Sequence, residues 1–370
     1  MPRLVDTKDG LDDCLAALAA APALAVDTET DAFFAYRPAI CLLQASTPDE
    51  DFLIDPLADL DLAPFGAILA DPAREVVLHA AENDVILMHH QFGWRIGRLF
   101  DTQVASFVLG LKPYSLAGVL EARFEVKLDK SQQRSDWARR PLTDKQVEYA
   151  ALDTHYLLRL AAELRARAVD AGRVDEIEWE CGRIATREWT PEPFDPEGFR
   201  RMSAAKEMDA RDLRVLQELF LFREAEAERR NRAPYRVVPD HALVALTRWR
   251  KGPPPRGVPE RFWQRYGGKV RRTIETARKK GPLPPRKRHR RRDGEPTSPA
   301  VKQRYERLRR WRARAAEERG VESFVVARNE LLMRVARSGA ASREELAGEV
   351  EPFRLREYGD AILAALLDSA

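Results

Sequence analysis

The sequence has little cysteine and no long apolar stretch, and these two features exclude several classes of protein. Its three cysteines, Cys14, Cys41 and Cys181, lie far apart in 370 residues, so they fit neither a disulfide framework nor a zinc site. No run of about 18 apolar residues occurs, which excludes a membrane-spanning helix. The first ten residues, MPRLVDTKDG, contain no apolar signal segment. We therefore expect a cytoplasmic protein with reduced thiols and no membrane partner.

A net charge of only +3 conceals a strong asymmetry along the chain. Residues 1–155 contain 14 basic and 25 acidic residues, a net −11, and the remainder carries a net +14. An acidic part is typical of a metal-binding or catalytic module, and a basic part is typical of a module that binds a polyanion. At roughly 100–200 residues per domain, the length predicts two or three domains.

The first half alternates strand-like and helix-like patterns, which predicts an α/β fold. Apolar runs predict strands at 23–27, 40–45, 51–55 and 76–80. The first three are joined by connections short enough for antiparallel pairing. Helical patterns follow at 82–92, 101–110 and 115–124. A long helix is predicted over about 144–170, where Thr143 and Gln146 have the spacing of a capping box.

Beyond Pro191 the patterns are helical only, and two breaks interrupt them. The segment 191–198 is rich in proline and acid, which predicts a connector. The segment 281–299 has prolines, glycines and six Arg or Lys at 286–292, which predicts a basic, extended linker. Such a tract attracts phosphates, but its role stays open. The breaks predict domains at 1–190, 200–280 and 300–370.

The two helical segments resemble each other at an offset of 89 residues. Aromatic, aliphatic and arginine positions match without a gap: Leu219 with Leu308, Phe222 with Trp311, Arg223 with Arg312, Tyr235 with Phe324, Val237 with Val326, Asp240 with Asn329, and Leu243 with Leu332. This pattern indicates one duplicated helical domain rather than a solenoid, which would need more copies. We expect Asp240 and Asn329 to cap the helices that follow them.

Carboxylates occur at three places in the sequence. Each of them, taken alone, could have an ordinary structural role. Asp27 and Glu29 end an apolar strand and, being two apart, point to one side of it. Asp84 lies in the first turn of a predicted helix, where the helix dipole favours an acid. Tyr149 and Asp153 are four apart on the long helix and share a face.

Taken together, these residues predict a metal site. Four carboxylates and a phenol, from a strand, a helix start and a helix face, can converge at one edge of a sheet. A ligand set made only of oxygen suits Mg²⁺ or Mn²⁺ rather than zinc. Two such ions can activate a water and stabilise the departing oxygen of a phosphodiester.

The order D-x-E, then D, then Y-x₃-D resembles the exonuclease superfamily named for its four acids, in the subclass with a tyrosine. The stretches FDTQVASFVLG at 100–110 and DKSQQRSDWARRPL at 129–142 are similar to the ribonuclease D family. The duplicated segments resemble the helicase-and-RNase-D C-terminal (HRDC) domain. The resemblance covers nearly the whole chain and implies an RNase H-like mixed sheet flanked by helices, followed by two HRDC-like domains.

The resemblance also implies roles for the site residues. Asp27 would bridge two cations, Glu29 and Asp153 would complete the site of the attacking water, and Asp84 would help to hold the second cation. Tyr149 would orient that water. Substrate contacts to the scissile phosphate or terminal nucleotide are expected from Lys130, Gln133, Arg134 and Trp137, although each is also explained as a surface residue or, for Trp137, a core anchor.

The implied activity is hydrolysis of RNA from a 3′-hydroxyl end, releasing nucleoside 5′-monophosphates. Single-stranded 3′ tails of structured RNAs, tRNA precursors in particular, are the implied substrates, and a monomer is expected. A DNA exonuclease would use the same acids, and contacts to a 2′-hydroxyl cannot be read from sequence. A non-catalytic RNA-binding protein on a nuclease scaffold is a third reading, although all five catalytic positions are present.

Overall fold

The computed structural model describes residues 2–190, 193–285 and 298–367. The basic tract at 286–292 lies outside the described residues. Among the described helices, none combines the length and the apolar character that crossing a bilayer requires.

Within the described residues, six strands form one mixed sheet in the order β1-β4-β3-β2-β5-β6. The strands are β1 (Arg3–Val5), β2 (Ala23–Thr30), β3 (Ile40–Ser46), β4 (Asp51–Ile54), β5 (Glu75–Leu78) and β6 (Leu99–Asp101). The predicted antiparallel pairing of β2 with β3 and of β3 with β4 is confirmed. The remaining pairs are parallel. Sequence patterns missed β1 and β6, because three residues are too few to show an alternation.

Helices cover both faces of the sheet, as expected of an α/β layer. They are α1 (Lys8–Ala20), α2 (Ala63–Ala70), α3 (Glu82–Phe92), α4 (Thr102–Val108), α5 (Leu116–Phe124), a 3₁₀ helix (Lys130–Arg134), α6 (Asp144–His155), α7 (Leu157–Asp170) and α8 (Val174–Ala185). The predicted helices at 82–92, 101–110 and 115–124 correspond to α3, α4 and α5. The predictions omitted α1, α2 and α8.

The prediction of one long helix over 144–170 is wrong. The capping box of Thr143 and Gln146 does begin α6, but the helix ends at His155 and α7 starts at Leu157. The physical reason lies in the packing, since α6 lies on β2, β3 and β4, whereas α7 lies on β2, β5 and α4. A straight helix could not cover both sets of strands. No proline or glycine marks the break, so the local sequence gives no sign of it.

The chain beyond residue 197 is helical throughout the part that the structure describes. Its first section contains two 3₁₀ helices (Gly198–Arg201 and Ser203–Glu207), α9 (Ala210–Arg229), α10 (Pro234–Val237), α11 (Asp240–Arg248) and α12 (Glu260–Lys279). Its second section contains α13 (Pro299–Arg319), α14 (Ser323–Val326), α15 (Asn329–Ser338), α16 (Arg343–Ala347) and α17 (Pro352–Leu367). Each section has its own apolar core.

An arginine at equivalent positions, buried in the first section and half-buried in the second, shows that the two helical sections are copies of one unit. Arg223 donates to the Val238 carbonyl and, at 2.5 Å, to Asp240. Arg312 donates to the Ala327 carbonyl and to Asn329, each at 2.9 Å. Donor and acceptors in the second set each lie 89 positions beyond those in the first, so the predicted offset extends to side-chain contacts.

The predicted capping by Asp240 and Asn329 is wrong. Each residue is the first helical position, preceded by Pro239 or Arg328 at the cap, and neither helix has a side-chain cap bond. The two side chains instead accept a hydrogen bond from the arginine of their own copy. A buried guanidinium requires acceptors, and this requirement decides how the two side chains are used.

The second copy docks on the sheet domain through buried ion pairs. Arg319 contacts both oxygens of Glu176, at 3.0 and 2.7 Å, and donates to the Val108 carbonyl. Glu176 is only 3% exposed. Arg328 and Arg354 share Glu180 in the same way, at 2.9 and 3.2 Å. The first copy contacts the sheet domain through the loop after β2, where Ala233 N–H donates to the Phe34 carbonyl.

The Arg319–Glu176 pair yields a prediction about stability. We expect Arg319→Met to lower the free energy of unfolding by about 3–5 kcal/mol, because Glu176 would be left buried without its partner. The exposed pair of Arg356 with Asp175 is the matched control, and Arg356→Met should cost less than about 1 kcal/mol. Denaturant titration of both variants decides the point. Equal losses in the two variants would contradict the account.

Candidate active site

The strand β2 presents Asp27 and Glu29 on the side of the sheet covered by α6. The residues preceding them, Leu24, Ala25 and Val26, are fully buried, so the strand is fixed up to the point where the acids begin. The pairing of β2 with β3 shifts register between Glu29 and Thr30. Both carboxylates are half-buried.

The position of Asp84 depends on a turn held by another acid, Asp101. The Asp101 carboxylate accepts hydrogen bonds from the backbone N–H groups of Ala80, at 3.0 Å, and Ala81, at 2.8 Å. Ala80 has a φ of 62°, a conformation that non-glycine residues rarely adopt. The turn leads directly into α3, and Asp84 then accepts a hydrogen bond from Thr28 of β2 at 2.5 Å.

The helix α6 brings Tyr149 and Asp153 to the same place. One ligand oxygen from each of Asp27, Glu29 and Asp153 lies within 4.8 Å of the others. The Tyr149 hydroxyl is hydrogen-bonded to Asp153, which lowers the pKa of that carboxyl against the other effects acting on it. Among the described residues, the second oxygen of Asp153 is buried without a hydrogen-bond partner. The strand acids and the helix face therefore come together, and Asp84 at the helix start is attached to the same strand through Thr28.

Burial and mutual repulsion make this cluster costly in its ionised form. Burial, with the charges of Asp153 and Asp84, raises the pKa of Glu29 to about 9. Burial likewise raises the pKa of Asp153 to about 8 and that of Asp84 to about 6. The pKa of Asp27 is raised well above its usual range by burial and by all three other acids. Carboxylates so arranged are stabilised by cations between them, and their oxygen-only donor set fits Mg²⁺ or Mn²⁺.

Tyr149 remains protonated in this environment. Burial and the charges of Asp153, Glu29 and Asp27 raise the pKa of its phenol above the ordinary value. Gln133 is hydrogen-bonded to the same hydroxyl. A phenol with a raised pKa is a poor base at neutral pH, but it can still orient a neighbouring group through hydrogen bonds.

The four predicted substrate contacts differ in their surroundings. Gln133 is exposed and contacts Tyr149, and Arg134 is exposed with its guanidinium 5.6 Å from the Phe33 ring centre. Trp137 is 1% exposed and packs against Tyr149 at 6.1 Å between ring centres, which is the core-anchor position and leaves no indole surface for a nucleotide in this structure. Lys130 lies in the 3₁₀ helix, but its side chain is outside the described residues.

Arg140 attaches the 129–142 run to the sheet, a role that no local pattern indicates. It holds both oxygens of Asp55, at 2.5 and 2.6 Å, and donates to the carbonyls of Cys41 and Trp137, each at 2.7 Å. One side chain thus connects β3, the end of β4 and the loop that carries Gln133. Sequence reasoning also missed Asp101 and Gln44. The signal for Asp101 is an acid between a strand and a helix, which indicates a helix cap. The signal for Gln44 is a polar residue inside an apolar strand.

The fold and the acid cluster define a 3′–5′ exonuclease with helical appendages. A family model described as 3'-5' exonuclease matches residues 2–168, and one described as HRDC domain matches 212–250 and 301–366. The expected mixed sheet followed by two HRDC-like segments is confirmed.

Comparison with individual proteins identifies the family to which this exonuclease belongs. A ribonuclease D of Nitrobacter hamburgensis is 30% identical, covering 98% of this chain and 94% of that protein. A ribonuclease D of Escherichia coli K12 is 35% identical, covering 68% of this chain and 67% of that protein. The crystal structure of Escherichia coli RNase D, titled an exoribonuclease involved in structured RNA processing, covers 99% of this chain and 98% of its own at 26% identity, with a TM-score of 0.63. The chain belongs to the ribonuclease D family of 3′–5′ exoribonucleases.

The Asp55–Arg140 contact gives a pH-dependent prediction. Burial opposes the charge on Asp55, but hydrogen bonds from Arg140 and from the Leu57 N–H outweigh it, so its pKa is lowered. We expect Asp55→Asn to cost about 2–3 kcal/mol of unfolding free energy at neutral pH, since a charge-assisted bond is lost. A lowered folded-state pKa contributes stability above the ordinary value of about 3.9, and this contribution disappears as the pH falls through the lower value.

Unfolding curves at neutral and acidic pH, compared with the exposed control Asp59→Asn, test this prediction. A difference between Asp55→Asn and the unmodified protein that persists at acidic pH would show that the effect is not due to ionisation of Asp55.

Proposed function

We propose that this chain shortens RNA stepwise from a 3′-hydroxyl end and releases nucleoside 5′-monophosphates, using two divalent cations. The observation that carries the proposal is the convergence of Asp27, Glu29 and Asp153 within 4.8 Å, with Asp84 fixed beside them through Thr28. Among the described residues no arginine or lysine contacts the cluster, so its carboxyls are neutralised either by protons, as their raised pKa values indicate, or by bound cations.

Each acid has a distinct part in this proposal. Asp27 lies close enough to the other three acids for all of them to raise its pKa, which suits a ligand shared by two cations. Glu29 and Asp153 would hold the first cation and Asp84 the second. The cations, when bound, supply an activated water and stabilise the departing 3′ oxygen.

Tyr149 contributes through hydrogen bonds. Its hydroxyl keeps its proton at neutral pH and lies between Asp153 and Gln133, so it can hold the attacking water at the edge of the cluster. Gln133 and Arg134 are exposed beside it and are proposed to contact the terminal nucleotide. The proposed role of Lys130 rests on the sequence resemblance alone, and Trp137, whose indole is buried, is assigned to the core rather than to the substrate.

The substrate class follows from the basic helical half of the chain. We propose that residues 1–190 cut, and that the segments 200–280 and 300–370 hold the RNA body while its single-stranded tail enters the site. Because the nuclease domain and the helical segments are joined in one chain, together they bind RNA more tightly than either would alone. Precursors of tRNA, whose folded body carries a 3′ tail, fit this division, in a monomeric cytoplasmic protein.

A cleavage assay tests the reaction. An RNA with a labelled 5′ end and a free 3′-hydroxyl should yield a ladder of shortened products with Mg²⁺ or Mn²⁺, and none with EDTA. Asp153→Asn should lose at least about a hundredfold in rate, because removing a ligand of the catalytic metal removes its charge stabilisation. A DNA of the same sequence, run in parallel, measures the preference for RNA.

A ladder that persists in EDTA or in Asp153→Asn would refute the metal assignment. Faster cleavage of the DNA would instead favour a DNA exonuclease, and binding without cleavage under every metal condition would favour a non-catalytic RNA-binding protein.

A further inference from the structure

The helix α12 carries a row of basic side chains that have no acidic partner among the described residues. Arg261, Arg265, Arg272 and Lys279 are exposed, and their spacing of four, seven and seven places them on one face of a 20-residue helix. None of the four pairs with a carboxylate of the described residues. At 1.5 Å per residue the row is about 27 Å long. We call it the α12 row.

The surroundings of the α12 row contain little compensating charge. Residues 248–280 hold twelve Lys or Arg against two Glu. Beside the row, Trp249 and Trp263 lie 5.3 Å apart in an edge-to-face arrangement, and the Arg271 guanidinium lies 5.1 Å from the Trp263 ring. The opposite face of α12 is anchored by buried apolar residues such as Val270 and Ile274, so the row faces solvent from a fixed support.

The second copy uses its arginines differently. Arg319, Arg328 and Arg354 are engaged with Glu176 and Glu180 of the sheet domain. These contacts fix the three arginines against the nuclease, so their charge is not presented to a ligand. Both copies therefore contact the sheet domain, but the second commits three arginines to buried acids there, whereas the α12 row of the first has no carboxylate partner among the described residues.

We infer that the α12 row binds the phosphate backbone of the folded RNA body, and that the first copy supplies most of the affinity for structured RNA. This inference rests on the proposed function, since it names the surface that holds that substrate. Basic side chains that follow one face of a helix over several turns suit the regular charge of a duplex backbone, whose sequence they need not read.

The test compares two variants with equal loss of charge. The row variant replaces Arg261, Arg265, Arg272 and Lys279 by Gln. The control variant replaces four exposed cations of the second copy that also have no carboxylate partner among the described residues: Lys302, Arg310, Arg314 and Arg337. Both are made in an Asp153→Asn background, and affinity for a hairpin RNA with a short 3′ tail is measured over a range of salt.

We expect the row variant to bind the hairpin at least about tenfold more weakly, with a salt slope reduced by about three, while the control changes little. Equal weakening in both variants, or none in the row variant, would overturn the inference. Cleavage of a short single-stranded RNA, measured with Asp153 intact, should be unchanged by the row substitutions. Failure of that cleavage in the unmodified protein would refute the proposed function and leave the binding comparison interpretable.

A second observation, independent of the first, concerns Gln44 in the middle of β3. Its side chain is 0% exposed, and among the described residues neither its amide nitrogen nor its amide oxygen has a hydrogen-bond partner. Burying an amide without hydrogen bonds costs several kcal/mol, about 2–7 depending on the reference. At a position in a fully buried strand, leucine would give a more stable fold than glutamine. The presence of the amide therefore indicates a functional role.

The pairing of the strands locates this amide at the acid cluster. Gln44 is directly opposite Asp27, so the two side chains leave the same face of the sheet. On that face its neighbour Ser46 donates to Thr154 of α6, and its neighbour Leu42 packs in one cluster with Tyr149 and Ala150. Gln44 therefore lies beneath the turn of α6 that carries Asp153.

We propose that Gln44 is a positioning residue for the metal-binding carboxylates. Its amide N–H groups are donors and the unpartnered Asp153 oxygen is an acceptor, so each supplies what the other lacks. The amide would orient Asp153 beside Asp27 without itself touching metal or RNA. This proposal also rests on the proposed function.

Gln44→Met tests the role, with Leu42→Met on the same face as the matched control. We expect Gln44→Met to bind Mn²⁺ about tenfold more weakly, as loss of a group that orients a ligand does, in a titration that follows free Mn²⁺ by electron paramagnetic resonance. The metal-free melting temperature should stay level or rise, since an apolar side chain of similar shape removes the unbonded amide.

Unchanged Mn²⁺ affinity in Gln44→Met, or an equal loss in Leu42→Met, would overturn this proposal. A fall in the metal-free melting temperature with unchanged affinity would assign Gln44 a purely structural role and overturn it as well. If the unmodified protein bound no Mn²⁺, the proposed function itself would fail.

Discussion

Four carboxylates held together against their mutual repulsion are the constraint on which the rest of this structure depends. Each would be more stable apart and in water, and burial with like charges raises the pKa of every one of them. They stay together because each is attached to a rigid element. Asp27 and Glu29 continue a buried strand, Asp84 follows a turn fixed by Asp101, and Asp153 lies on a helix packed on three strands. Cations bound between these carboxylates would relieve their repulsion.

Much of this site could be predicted from the sequence because its parts are local. Alternation along β2 places Asp27 and Glu29 on one side, and the spacing of four places Tyr149 beside Asp153. The antiparallel β2–β3–β4 arrangement follows from short connections. What could not be predicted depends on contacts between distant segments. The break at Tyr156 is imposed by the strands that α6 and α7 cover, and the partners of Asp101 and Arg140 become neighbours only after folding.

The duplicated helical unit illustrates how one sequence pattern can take two uses. Both copies keep the arginine that joins the first helix to the start of the third, because it supports the unit itself. Their surfaces differ, since the second copy directs arginines at Glu176 and Glu180, whereas the first keeps an exposed basic face. The sequence revealed the repeat, but it led to the prediction that Asp240 and Asn329 cap helices. A helix start can be recognised from neighbouring residues, whereas the arginine that binds these side chains comes from another helix.

The central claim is that the four acids form one site for two cations. The most direct measurement is the number of Mn²⁺ ions bound per chain, determined by calorimetric titration of the full-length protein and of Asp27→Asn. The account predicts two ions for the unmodified protein and, because Asp27 is the shared ligand, loss of both sites in the variant. A single ion, or two ions that remain bound with unchanged affinity in Asp27→Asn, would contradict it.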